Sequence, residues 1–185
     1  MHAHIGEGRA FLEQALAESG EVSAPVRAKA LMTAANLAVS QNDYDRTQTL
    51  CQESLALFRE LGDQPGIAFS LYLLGAVSWT RGDPTTGRSL LEQALALFRE
   101  KDAKDQIAWS LYLLGLFEGL QGEYARARPL LEECLALFSE LDNKSGTCYS
   151  LLWLALMLFS QGDLASFPQL LPLARKRCCV CSPRA

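Results

Sequence analysis

The chain has 185 residues, of which 49% are hydrophobic and 21% are charged, and its formal net charge is −4. This composition is typical of a globular domain with a core and excludes a disordered chain. The acidic balance argues against a nucleic-acid partner, because nucleic acids bind basic surfaces.

The pattern of apolar residues disfavours both membrane insertion and secretion. No apolar run approaches the ~20 residues that a membrane-spanning helix needs. Met1–His4 leads directly into a helical pattern, without the apolar segment of a secretory leader. We therefore expect a cytoplasmic protein with no membrane partner, in which the six cysteines are thiols.

An internal repeat with a period of about 40 residues organises the chain. The segment IAFSLYLLG at 67–75 recurs as IAWSLYLLG at 107–115, and LEQALALF at 91–98 recurs as LEECLALF at 131–138. Apolar residues in these segments follow the i, i+3, i+4, i+7 spacing of amphipathic helices, and no segment alternates as a strand does. Each repeat therefore predicts a pair of helices.

The helical pattern predicts about nine helices, beginning with a lone helix over residues 6–19. Four helix pairs follow in units of about 25–60, 65–100, 105–140 and 145–177. The first helices of these units are predicted at 25–41, 65–81, 105–121 and 145–161, and the second helices at 44–60, 84–100, 124–140 and 164–177. We expect residues 1–177 to form a single array and residues 178–185 to form a disordered tail.

Turn residues separate the predicted helices. Gly82, Gly122 and Gly162 stand where the end of a helix favours a left-handed residue. Asp83 before Pro84 predicts an N-cap followed by a proline in the first turn. The turn pairs Gly82-Asp83, Gly122-Glu123 and Gly162-Asp163 recur in phase with the repeat, which supports the predicted boundaries.

This arrangement resembles the tetratricopeptide repeat (TPR) family. One unit carries the family's motif as Leu111, Leu114-Gly115, Gly122, Tyr124, Ala127, Leu131 and Cys134-Leu135. The resemblance covers about residues 6–175, although the period of about 40 residues is longer than the usual ~34. It implies an all-α, TPR-like α-solenoid, a right-handed superhelix of helix-turn-helix repeats.

The repeated phrase LLE-x-x-LALF is also similar to TPR arrays of bacterial LuxR/MalT-type transcription regulators and signal-transduction ATPases. In those proteins the array senses an inducer or a partner. This second resemblance implies a bacterial signalling role for the chain.

The sequence contains no catalytic set, cofactor motif or metal site, so we expect a protein that is not an enzyme. The only histidines are His2 and His4, which leaves none in the body of the fold for acid–base chemistry. No phosphate-binding glycine-rich loop or HExxH motif occurs. The tail cysteines Cys178, Cys179 and Cys181 are too few for a tetrahedral zinc site.

The concave wall is the expected binding site, because the first helix of each repeat lines it in TPR arrays. Helical spacing places on this wall a set rich in tyrosine and tryptophan: Met32, Asn36, Phe69, Tyr72, Trp79, Trp109, Tyr112, Leu116, Tyr149 and Leu152. Any one of these side chains could instead fill the core, since period alone does not separate groove from core. Together they indicate a groove suited to binding, because tyrosine and tryptophan dominate binding hot spots.

The resulting hypothesis is a non-catalytic scaffold that binds a peptide or helix of a partner protein in the aromatic groove. Two alternatives stay open. Because terminal repeats normally need a polar outer face, Phe167, Leu170 and Leu171 on the apolar last helix favour self-assembly into homo-oligomers. The LuxR/MalT resemblance implies instead a detached inducer-sensing region of a larger regulator.

Overall fold

A computed structural model describes Gln14 and residues 23–162, and the latter form seven α-helices. In chain order these are α1 Ala24–Ser40, α2 Tyr44–Leu61, α3 Gln64–Thr80, α4 Pro84–Glu100, α5 Lys104–Leu120, α6 Tyr124–Glu140 and α7 Lys144–Ser160. Every boundary lies within one residue of its prediction. About nine helices were predicted, whereas residues 23–162 contain seven. Apart from Gln14, the predicted helices at 6–19 and 164–177 and the tail at 178–185 lie outside the described residues.

The chain divides into two compact units, Met1–Phe98 and Arg99–Ala185. Within the first unit, α2 packs against both α1 and α3. Within the second unit, α6 packs against both α5 and α7. Each unit is thus a run of helix-turn-helix repeats, which confirms the all-α repeat architecture. The single array over 1–177 and the right-handed superhelix stay predictions.

Every described helix and the turn that follows it form a module of constant length. The helices begin at residues 24, 44, 64, 84, 104, 124 and 144. One residue with positive φ follows each of them: Asn42, Gly62, Gly82, Asp102, Gly122, Asp142 and Gly162. Each sequence repeat therefore consists of two modules of equal length. The repeat is longer than the usual TPR period of ~34 residues because its helices are long.

Side-chain caps set where α3 and α4 begin. The carboxylate of Asp83 accepts a hydrogen bond of 3.0 Å from the backbone N–H of Thr86, as the sequence predicted. Asp63 accepts an equivalent bond of 3.1 Å from the N–H of Gly66. These bonds satisfy amides that the first turn of a helix leaves without a backbone partner. The hydrogen bonds from Thr86 also hold the pKa of Asp83 below its usual value.

The first helices α3 and α5 are buried over a wider surface than the second helices α4 and α6. The first helices α3 and α5 each bury eight residues, whereas the second helices α4 and α6 each bury five along one stripe. A helix buried on several faces has neighbours on more than one side, whereas a helix with one apolar stripe has a free polar face. None of the described helices is long and apolar enough to cross a membrane.

Glycines allow the two helices of a pair to approach closely. A Cβ atom added at Gly75 in α3 would lie 2.8 Å from Cγ of Leu91 and 2.9 Å from the carbonyl oxygen of Gly87, both in α4. In the second unit, a Cβ at Gly115 would lie 2.8 Å from Cγ of Leu131. The glycine of the repeated Leu-Gly pair is therefore required by helix packing and not by a turn.

Replacing Gly82 with alanine should lower the free energy of unfolding by about 1 kcal/mol, because φ is 85° there and an L-residue is strained in that region. The new Cβ would meet open space, so the loss has no steric component. The matched control is Gly119→Ala inside α5, where the Cβ would lie 3.8 Å from Cβ of Ala127. That control should gain up to about 1 kcal/mol from helix propensity. Urea unfolding measures both, and equal losses would contradict a backbone cause.

Candidate functional site

Three predicted groove residues form a cluster of rings in the second unit. Trp109 and Tyr112 of α5 pack edge to face, with ring centroids 5.8 Å apart and an interplanar angle of 88°. The ring of Tyr149 in α7 lies 6.3 Å from Trp109 and 6.1 Å from Tyr112. These distances suit attractive contacts between aromatic rings. We call Trp109, Tyr112 and Tyr149 the aromatic cluster.

Phe138 of α6 supports the aromatic cluster from the core, and sequence reasoning missed this role. Its side chain is fully buried, and its ring centroid lies 4.8 Å from that of Trp109. A Cβ added at Gly146 in α7 would lie 2.4 Å from Cδ1 of Phe138, so this glycine makes room for the ring. Trp109 is itself half-buried. Trp109 therefore belongs partly to the core and partly to the surface.

Trp153 of α7 interacts with Tyr112 of the aromatic cluster, although it was not among the predicted groove residues. Its indole N–H is the hydrogen-bond donor to the hydroxyl of Tyr112. Burial raises the pKa of Tyr112, and the bond from Trp153 lowers it by less. The phenol therefore stays neutral at physiological pH and keeps its own O–H as a donor. The spacing of Trp153 four residues after Tyr149 was the available sequence signal.

The surface of the aromatic cluster is open on the α7 side. Tyr149 is 49% exposed and Leu152 is 54% exposed, whereas Trp109, Tyr112 and Leu116 are half-buried. The five predicted groove residues of this unit are thus all at least partly accessible. Apolar side chains held partly exposed on packed helices provide a rigid contact surface.

The predicted groove residues of the first unit are also outside the fully buried core. Phe69 and Tyr72 of α3 have ring centroids 5.9 Å apart, with a tilt of 35°. Phe69, Tyr72, Trp79 and Met32 are half-buried, and Asn36 of α1 is exposed. The structure thus brings two aromatic residues together here and three in the second unit. A continuous groove over both units stays a prediction.

Comparison with known sequences decides the family. Two sequence models described as Tetratricopeptide repeat match the chain, one over residues 26–100 and the other over residues 107–141, which together are 110 of the 185 residues. The chain belongs to the tetratricopeptide repeat family. The TPR resemblance is therefore confirmed, whereas the similarity to LuxR/MalT-type regulators stays a prediction. No protein of curated function matches the chain.

Solved TPR structures share the fold. One is a crystal structure of kinesin light chain nearly identical TPR-like repeats from Podosopora anserina, with a TM-score of 0.70 and 19% identity over 94% of this chain and 87% of that chain. Another is BtubC (BKLC) from P. vanneervenii, with a TM-score of 0.70 and 19% identity over 95% of this chain and 71% of that chain. Identity this low shows a common TPR fold and nothing further about function.

The cysteines of the TPR core are not poised for chemistry. Cys51 and Cys134 are free thiols with no exposed surface. Burial raises the pKa of Cys51 to about 12 and that of Cys134 to about 11. Since the thiolate is the nucleophile and the metal ligand, neither residue is reactive near neutral pH. Within the described part of the chain, no cluster of three or more His, Cys, Asp or Glu side chains is placed to hold a metal ion.

The expectation that all six cysteines are thiols is wrong for Cys148. This half-buried residue of α7 is in a disulfide. Which cysteines come within bonding distance depends on how distant parts of the chain fold back on each other, and sequence spacing does not show this.

The buried thiols should make the chain less stable at alkaline pH. Unfolded cysteines ionise near a pKa of ~8.5, whereas folded Cys51 and Cys134 keep their protons to about 12 and about 11. The folded state then binds more protons, so the free energy of unfolding should fall as pH rises above ~8.5. Urea unfolding across this range measures the fall. The control is Cys51→Val with Cys134→Ala, which should flatten the dependence; an unchanged slope would contradict this cause.

Proposed function

We propose that this TPR protein is a non-catalytic scaffold that binds a peptide or short helix of a partner protein on the aromatic cluster. TPR repeats generally mediate protein–protein interaction, and this chain carries them over most of its length. The observation that carries the proposal is the packing of Trp109 and Tyr112 against Tyr149, which leaves Tyr149 half-exposed. The net charge of the chain is −4, which disfavours binding to nucleic acids. The proposal includes neither a nucleic acid nor a membrane as partner.

The aromatic cluster is suited to apolar side chains because its rings are already held in place. Phe138 supports Trp109 from the core, and Trp153 holds the Tyr112 hydroxyl by a hydrogen bond. Binding therefore costs little side-chain entropy, which is the usual penalty for ordering a surface. Next to Tyr149, the exposed Leu152 extends the apolar contact area along α7.

The hydroxyl group of Tyr112 in the aromatic cluster favours a peptide over a purely apolar ligand. The Tyr112 hydroxyl accepts from Trp153 and keeps its own proton to donate. A backbone carbonyl of a bound peptide or a free carbonyl at a helix end is a natural acceptor for this proton. Ring contacts would supply affinity and this hydrogen bond would supply orientation.

A random-peptide display selection against the whole chain tests the proposal. The best peptide should lose at least about tenfold in affinity for Tyr149→Ser and for Leu152→Ser, since truncating a hot-spot residue costs over ~1.4 kcal/mol. The control is Leu141→Ser, which removes a leucine that is 39% exposed in the turn after α6. That variant should bind normally. Failure to enrich any peptide, or equal affinity for all four proteins, would contradict the proposal.

Self-assembly is a second candidate, favoured by the outer face of α7. Leu152, Leu156 and Phe159 lie at helical spacing and are 54%, 45% and 70% exposed. The sequence-based argument for self-assembly used the apolar last helix predicted at 164–177, which lies outside the described residues. Light scattering should show a dimer or larger species that Phe159→Ser dissociates; a strict monomer at high concentration would rule this candidate out. The third alternative, an inducer-sensing region of a larger regulator, is not part of this proposal.

A further inference from the structure

A pocket of about 230 Å³ lies in the second unit among α5, α6 and α7. Its walls include Gly115 and Gly119 of α5, Tyr124 and Leu131 of α6, and Trp153 and Met157 of α7. An engineered apolar cavity of ~150 Å³ holds benzene, whereas pockets for drug-sized ligands begin near ~300 Å³. The volume therefore suits a ligand of one or two fused rings.

Gly119 provides much of this space. Trp79 holds the equivalent position one repeat earlier, opposite Gly87, whereas Gly119 stands opposite Ala127. In the first unit the helices are close here, because a Cβ added at Gly87 would lie 3.0 Å from the backbone nitrogen of Trp79. A Cβ added at Gly119 would meet nothing nearer than 3.8 Å. The same position of the repeat thus carries an indole in one unit and open volume in the other.

Tyr124 adds a polar group to the pocket wall. Its equivalent two repeats earlier, Tyr44, donates a hydrogen bond of 2.9 Å to Oδ1 of Asn42. The position equivalent to Asn42 is Gly122, which has no side chain to accept such a bond. The Tyr124 hydroxyl therefore lacks the side-chain acceptor that Tyr44 has. It can accept a hydrogen bond from a ligand N–H group.

The ends of two helices disfavour an anionic ligand in this pocket. Gly119 and Leu120 are the last residues of α5, and Met157 and Ser160 are in the last turn of α7, and all four line the pocket. The C-terminal end of a helix carries partial negative charge from its carbonyl groups. A neutral ring with an N–H donor therefore matches the pocket better than a carboxylate does.

We propose that this pocket binds a small, uncharged bicyclic aromatic molecule with a ring N–H, of the size of indole, whose N–H group donates to the Tyr124 hydroxyl. The site is distinct from the aromatic cluster, although Trp153 contributes to both. It does not depend on the proposed peptide partner. The two sites can accordingly be tested separately on the same protein.

Calorimetric titration of the whole chain with three probes tests the ligand class. Indole should bind, and 1-methylindole should bind roughly fivefold more weakly because it lacks the N–H donor. Indole-3-carboxylate should bind more weakly still, because of its charge. Tyr124→Phe should reduce the affinity for indole and leave that for 1-methylindole unchanged. No binding of indole up to its solubility would overturn the proposal, and equal affinities for indole and 1-methylindole would overturn the assignment to Tyr124.

Filling the pocket tests its location. Gly119→Trp restores the residue of the preceding repeat and should abolish indole binding. Gly119→Leu should also abolish indole binding. It replaces Gly119→Trp in the experiment if circular dichroism shows that the tryptophan side chain impairs folding. The control is Ala136→Trp, which adds an indole at an exposed position of α6 and should bind the probe normally. Binding that survives replacement of Gly119 in a folded protein would place the ligand elsewhere and overturn the proposal.

Discussion

The structure depends on one backbone constraint, which is a residue with positive φ at the end of every described helix, repeated at a constant interval along the chain. Four of these seven residues are glycine and three are asparagine or aspartate, the types that accept this conformation most readily. Because all modules have the same length, equivalent side chains return to equivalent faces. The contact between Trp109 and Tyr149, which lie one full repeat apart, is a direct product of this period.

Repetition also fixes the contacts between neighbouring helices. Ser54 Oγ lies 3.0 Å from Ser70 Oγ in the first unit, and Cys134 Sγ lies 3.1 Å from Ser150 Oγ in the second. The two pairs have the same separation in sequence and lie two repeats apart, so equivalent positions form the same contact in each unit. The core therefore repeats while a few positions differ, and those positions distinguish the surfaces. Gly119 is one such position, and its lack of a side chain opens the pocket.

The sequence predicted the helices well because independent signals coincide at several of the boundaries. A left-handed residue, a capping aspartate and the change of apolar phase meet near residues 82–84, for example, and the helices on both sides begin and end within one residue of prediction. The candidate site was predicted less completely. Helical spacing placed Trp109, Tyr112 and Tyr149 on one wall, but it gave no site role to Phe138 and passed over Trp153.

Residue patterns were enough to predict the repeat, the helix boundaries and the residues that share a helix face, because these follow from backbone propensities and from spacing along one helix. The packing of helices against one another then set which rings meet, which cysteine is oxidised and where space is left open. Those features arise between helices, where the fit of side chains from distant residues sets the outcome. Gly119 shows the difference, since a missing side chain has no pattern of its own and becomes a cavity only when its neighbours are in place.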